Sequence, residues 1–247
     1  MMLGSGVAAA AELAACVDES SPIASVSRKL VEAVAQQQGL TARIHEYDSS
    51  DNDEVNGLWP FRVMLDKDCD LIVDYPFDTD APENSLAPLH ATAPYARSSF
   101  MLVTPKSSAI KSLDDLHTGQ KVGIGYMSPP NLYFLSHPED FKPVILEYDS
   151  DSVKELVAGK LDAAIAWRAS AVLALEEAGK SADYVMTPVD HEHFTYQYMA
   201  LYKADKQGVA DSFEAGVAKL QSSGELQKIY GSYADVLAAE GASSQDS

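Results

Sequence analysis

Hydrophobic positions along this chain follow two alternating rhythms. Ile23, Val26, Leu30, Val31 and Val34 recur at helical spacing and stop at Gly39, which predicts a helix with one apolar face and a glycine end. The next stretch, 42–47, alternates apolar and polar residues as a strand does. Further strand-like runs occupy 71–73, 98–104, 121–126, 163–167, 184–186 and 196–202, with helical patterns at 59–65, 112–117, 151–159 and 170–179 between them. Near the end, Phe213, Val217 and Leu220 mark another helix face. Gly224 interrupts it, and Leu226, Ile229 and Tyr230 carry the face into a second short helix ending near Tyr233. Alternation of this kind predicts an α/β protein with a mostly parallel sheet and helices on both faces. A chain of 247 residues can fill either two lobes or one large domain.

Charge narrows the classes of partner. The formal net charge is −19, from 37 acidic and 18 basic residues, and the basic ones form no cluster. Phosphate binding needs clustered cations, so no nucleic-acid partner is expected. No apolar run approaches the roughly 20 residues that cross a bilayer. Residues 1–15 are rich in small side chains and contain an Ala-Ala-Glu junction, as the remnant of a secretory signal or a flexible N-terminus would. Leu13-Ala-Ala-Cys16 also fits a lipoprotein attachment box. Cys16 and Cys69 head the first and third predicted strands, which lie side by side in a doubly wound sheet. A disulfide is expected there, and it requires an oxidising compartment; two buried free thiols are the alternative. Neither cysteine has a Cys or His neighbour at metal-ligand spacing. The tail, 241–247, reads as disordered.

Four segments, in order, carry a resemblance. Residues 91–104 (Ala-Thr-Ala-Pro-Tyr-Ala-Arg-Ser-Ser-Phe-Met-Leu-Val-Thr) resemble the segment by which type II periplasmic solute-binding proteins leave their first lobe. Residues 110–124, with Ser112, Asp115, Leu116, Gly119, Val122 and Gly123, are similar to the opening of that family's second lobe. Residues 153–165, Val-Lys-Glu-Leu-Val-Ala-Gly-Lys-Leu-Asp-Ala-Ala-Ile, resemble its helix-to-strand unit, and the Gly224–Tyr233 region its C-terminal end. The resemblance implies a two-lobe fold, each lobe a mostly parallel sheet flanked by helices, joined by a two-strand hinge. Lobe 1 would be residues 16–103 plus 200–240 and lobe 2 residues 104–199, with crossings near Val103-Thr104 and Met199–Leu201. It further implies a periplasmic, monomeric binding protein that delivers a small molecule to a membrane transporter and catalyses nothing.

Two departures set this chain apart from amino-acid binders of the family. Asn84 stands where they carry the carboxylate-holding Arg, and Trp167-Arg168 where they carry the ammonium-holding Asp. Cys16, the Cys69-Asp-Leu-Ile-Val73 strand and Pro94-Tyr-Ala-Arg-Ser-Ser-Phe100 are similar to a subgroup associated with quinoprotein (methanol) dehydrogenases and with handling pyrroloquinoline quinone. That resemblance makes the quinone a candidate ligand, with no cofactor otherwise required, and a periplasmic quinoprotein dehydrogenase a candidate partner.

Ligands of open α/β sheets sit beyond the carboxyl ends of the strands, which selects candidate residues. After the first strand come Asp18, Glu19, Ser20 and Ser21, at a helix start whose free N–H groups suit an anion. After the third come Tyr75, Phe77 and Asp78, and the crossing adds Tyr95, Arg97 and Ser98. The second lobe offers Tyr126, Ser128 and Asn131, then Trp167 and Arg168. Each also has a plainer reading: Tyr75 and Phe77 as surface packing, Trp167 as core, and the two arginines as surface ion pairs of small worth. Only five arginines occur, and two of them at strand ends beside aromatics favour a flat, acidic ligand. His191 and His193 share a face if extended, but a solvated loop explains them as well as a metal does. No G-x-S-x-G elbow, P-loop or G-x-G-x-x-G is present. The expected function is therefore capture of a small acidic ligand. The alternatives are a ligand-free protein docking a dehydrogenase, an amino-acid-type transporter binding protein with an altered site, and a dehydratase-like enzyme.

Overall fold

The computed structural model describes residues 11–49, 58–81, 85–137 and 141–238. The start of the predicted leader, most of the acidic stretch after Asp48, Asn84 and the 241–247 tail lie outside them.

Two trios of parallel strands organise the molecule. In the first, β1 (Glu12–Asp18) lies between β2 (Thr41–Tyr47) and β3 (Leu71–Asp78). Leu13 to Val17 are all buried, as a strand covered on both faces requires. Helix α1 (Ala24–Gln38) presses Leu30, Val31 and Val34 onto one face and stops at Gly39, whose φ of 67° favours glycine. In the second trio, β6 (Lys121–Gly125) lies between β7 (Lys142–Leu146) and β8 (Ala163–Trp167). Helices α3 (Pro129–Leu135), α4 (Asp149–Val157) and α5 (Arg168–Glu177) follow these strands, while α2 (Trp59–Lys67) precedes β3.

Two antiparallel strands, β5 (Ala96–Pro105) and β10 (Thr195–Tyr202), join the trios. The order across the whole is β2-β1-β3-β10-β5-β8-β6-β7. Short strands β4 (His90–Ala91) and β11 (Asp235–Val236) attach to β10 and β5, and β9 (Tyr184–Pro188) also pairs with β5. β5 belongs to both halves: Ala96 to Ser99 pair with β10, and Phe100 to Val103 pair with β8. Strand partners therefore change at Ser99–Phe100. The extended crossings expected near Val103-Thr104 and Met199–Leu201 lie within β5 and β10, a few residues beyond this change of partner.

Each trio has a core on both faces. Leu13, Leu30, Leu71, Phe213 and Tyr230 form one, with α6 (Gln207–Ser222) and α7 (Glu225–Tyr230) completing it. Phe100, Ile124, Phe134, Ile165 and Phe194 form its counterpart in the other half. Smaller clusters cover the opposite faces. Full burial of each such side chain contributes about 1.5–3 kcal/mol. Gly216 lets α6 approach α1: a Cβ there would lie 2.7 Å from Val34. Gly224, at φ 73°, makes the predicted break between α6 and α7.

The cysteines form a disulfide, with Cα atoms 5.6 Å apart, joining β1 to the residues just before β3. Cys16 is thereby bonded to Cys69 and carries no lipid in this form. Residues 12–15, expected within a flexible N-terminus, are instead the first half of β1, since their side chains complete its buried run. No helix among the described residues is long and apolar enough to cross a membrane.

Candidate functional site: a cleft between the halves

The carboxyl ends of both trios face a common cleft with two adjoining cavities. The inner one, about 240 Å³, is bounded by Asp18, Asp74 and Tyr75 from the first half and by Trp167 from the second. The outer one, about 570 Å³, lies between Glu19 and Ser20 on one side and Tyr126, Glu147 and Asp149 on the other. Ser21 lines both.

The turn after β1 is filled by its own carboxylate. Asp18 Oδ1 accepts from Ser20 N (3.0 Å) and Ser20 Oγ (2.6 Å), while its Oδ2 accepts from Ser49 Oγ (2.6 Å). Asp18 thus closes this turn rather than capping α1, where Ala24 N and Val26 N donate to Ser21 O and Ile23 O.

Asp74 forms the floor of the inner cavity. It is 8% exposed and sits in the left-handed region (φ 56°), which an aspartate tolerates better than most residues. Its N–H donates to Tyr95 Oη (2.9 Å), and Tyr230 Oη donates to its Oδ1. The second oxygen, Oδ2, is buried without a hydrogen-bond partner. Burial pushes this carboxyl up, although Ser27, Tyr230 and Tyr95 hold it back. The tyrosines above it respond in turn. Burial first, and then the charges of Asp18 and Asp74, raise the Tyr47 hydroxyl far above its ordinary range. Tyr47, Phe61 and Tyr75 meet edge to face, with ring centres 6.2 and 5.6 Å apart, and form one aromatic wall.

Trp167 supplies the opposite wall. Its ring, half-buried, is braced by Phe100 at 5.2 Å and Tyr196 at 5.5 Å. Asp149 fixes its backbone: Oδ2 accepts from Trp167 N at 3.0 Å. Asp149 Oδ1 finds no hydrogen bond of normal geometry and lies so close over Gly125 that a Cβ there would be 2.3 Å away. Burial raises the Asp149 carboxyl to about 6, against the easing effect of the Trp167 and Gly125 backbone.

Of the residues predicted for the site, Asp18, Glu19, Ser20, Ser21, Tyr75, Tyr126, Ser128 and Trp167 line the cleft. Seven do not. Tyr95 is core, buried against Phe213 beneath Asp74. Ser98 donates to Tyr233 O, and Asn131 holds the turn before α3 by accepting from Met127 N. Phe77 pairs with Gln197 in the sheet, and Asp78 accepts from His193 Nδ1 at 2.8 Å. Arg97 and Arg168 both turn to Asp235, at 4.0 and 2.9 Å, and Arg168 also donates to Ser232 O. The two cations that had suggested an acidic ligand are thus engaged by β11, a strand too short to be read in advance. No group of three potential metal ligands occurs among the described residues, and His191 lies against Tyr133 instead. Phe61, Tyr47, Asp74, Tyr198 and Asp149 were not foreseen. Asp74 follows a fully buried run, where a carboxylate is anomalous, and that signal was available.

Solved structures share this architecture. A polar amino acid ABC uptake transporter substrate-binding protein from Streptococcus thermophilus aligns over 90% of this chain and 85% of its own, at TM-score 0.68 and 18% identity. Substrate-binding domain 2 of GlnP from Lactococcus lactis, in the open conformation, aligns over 90% and 94%, at TM-score 0.66 and 16% identity. An ABC uptake transporter substrate-binding protein from Streptococcus pneumoniae with bound histidine aligns over 89% and 91%, at TM-score 0.57 and 20% identity. The chain has the two-lobe, periplasmic binding protein-like α/β fold. No family model matches the sequence, and no curated protein does.

Proposed function

We propose that this protein captures a small organic solute in the cleft and presents it to a membrane transporter, as an amino-acid-type binding protein with an altered site. The observation that carries the reading is the cleft itself: cavities at the carboxyl ends of both strand trios, walled from both halves, around residues left chemically unsatisfied. The descriptions of the three solved relatives, each a transporter's substrate-binding protein or domain, support it, and so does a disulfide suited to an extracytoplasmic compartment. Closure of the halves about β5 and β10 would bury the solute. The acidic-ligand expectation loses the support of Arg97 and Arg168, which are held by Asp235, and pyrroloquinoline quinone stands on the subgroup resemblance alone. The test is a thermal-shift screen of amino acids, amines, dicarboxylates and the quinone. A ligand at a hundred times its Kd should stabilise the protein by about 2.7 kcal/mol. No stabilisation by any of them would leave the dehydrogenase-docking role in its place.

A further inference from the structure

Charge in the cleft is all of one sign. The inner cavity carries Asp18 and Asp74, and the outer one Glu19, Glu147 and Asp149, while neither is lined by a Lys, Arg or His. The segments not described hold none of the 18 basic residues and none of the six histidines, so no cationic side chain can enter the cleft from them. Arg168 directly follows Trp167 of the cavity lining. Its field reaches Tyr198, but its guanidinium is bonded to Asp235 and Ser232 O.

A cluster of acids alone would say little, since acids are abundant on this chain. Asp74 makes the difference: it is buried, lines the inner cavity, and keeps one carboxylate oxygen without a donor. A buried acceptor left unmatched is costly unless a partner arrives. Around it stand aromatic side chains from both halves, Tyr47, Phe61, Tyr75 and Tyr198 from the first and Trp167 from the second. Such rings attract a cation over their faces and accept the apolar part of an organic one. An anion would meet two carboxylates and no counter-charge.

We infer that the ligand is a small organic cation, an amine or guanidine, whose charge is met by Asp74 at the inner cavity while the rings of Trp167 and Tyr47 enclose it. A metal ion fits less well, because Asp18 is already saturated by serines and no group of three ligands exists among the described residues. Unlike an α-amino acid, this ligand needs no carboxylate, and no Lys, Arg or His among the described residues lines the cleft to hold one. The inference rests on the solute-capture reading and names its substrate class.

Calorimetry and thermal shift with the full chain test it, using putrescine, agmatine, choline and L-arginine against L-glutamate, L-glutamine and succinate. One or more of the amines should bind and the acids should not, and agmatine should bind at least as tightly as L-arginine. Asp74→Asn should weaken the amine about a hundredfold, and Trp167→Leu, which keeps apolar bulk, about tenfold. Preference for glutamate, glutamine or succinate would overturn the charge assignment and leave solute capture standing. Amine binding unaffected in both variants, at unchanged melting temperature, would overturn the location. Binding of no compound from either set would remove the inference and the solute-capture reading together.

Discussion

The two walls of the cleft share a plan, three parallel strands ending in loops, yet they use their carboxylates differently. On the first wall Asp18 is saturated and rigid, while Asp74 is buried with an oxygen to spare. On the second, Asp149 works on the chain itself, holding the backbone of Trp167 over Gly125. The first wall is also stapled, through Cys16–Cys69, whereas no cysteine lies in the second. On the inference drawn above, the first wall would meet the ligand's charge, while the second holds a ring in place.

The largest way to separate the walls is to cut the staple. Cys16→Ser with Cys69→Ser opens a loop with a sequence separation of 53. Chain entropy puts the loss at about 4 kcal/mol. Urea unfolding should then begin in the first half, with hydrogen exchange rising in β1 and β3 before β6 and β8; uniform loss of protection would show that the halves unfold as one.

Asp149 gives the next effect, and its sign follows from linkage. Its carboxyl is raised to about 6 in the folded protein, from an unfolded value of 3.8. Between these values the folded state holds the extra proton, so its contribution is complete below pH 4 and fades as pH climbs to 6. Asp149→Asn removes that dependence. The variant should match the parent near pH 4 and exceed it by about 3 kcal/mol at pH 7.5, read from urea midpoints. Equal pH profiles would mean that water reaches the group freely.

Gly125→Ala strikes the same seat from below, driving a methyl into Asp149 Oδ1 and its backbone. About 2 kcal/mol should be lost, with Trp167 fluorescence shifted to the red as the ring is released. An unshifted spectrum would show that the seat does not depend on this close approach. Tyr230→Phe, on the first wall, removes the donor to Asp74 Oδ1 and should cost about 1.5 kcal/mol. Here the Trp167 spectrum should stay unchanged. A shift would tie the walls together more tightly than the comparison allows.

Much of the architecture was readable because it rests on local spacing. The run Ile23, Val26, Leu30, Val34 placed α1 within a residue or two, and Gly224 marked the α6–α7 break. The helical pattern at 112–117 is a single 3-10 turn, closed by a capping box of Ser112 and Asp115. Strand β7 escaped because Lys-Pro-Val-Ile-Leu is brief and half exposed. The site was legible at loops beside strand ends, as with Asp18, Ser21 and Tyr75. It failed where a partner came from far along the chain. Arg97 and Arg168 are separated by more than a hundred residues and half that distance from Asp235, and no periodicity links them. Asp74 was passed over although it directly follows the predicted run 71–73; β3 continues to Asp78, which makes Asp74 a buried position within the strand rather than a residue of the loop after it.

Asp235 also has a mechanical meaning. Through β11 it is laced to the first part of β5, while Arg168 ties it to α5 in the other half, and Tyr233 Oη reaches Glu176 on the same helix at 2.8 Å. Any swing of α5 away from β5 must stretch this short leash before it strains either strand. If the halves close and part as proposed, this C-terminal strap would limit how wide the jaws gape, from a side away from the cleft.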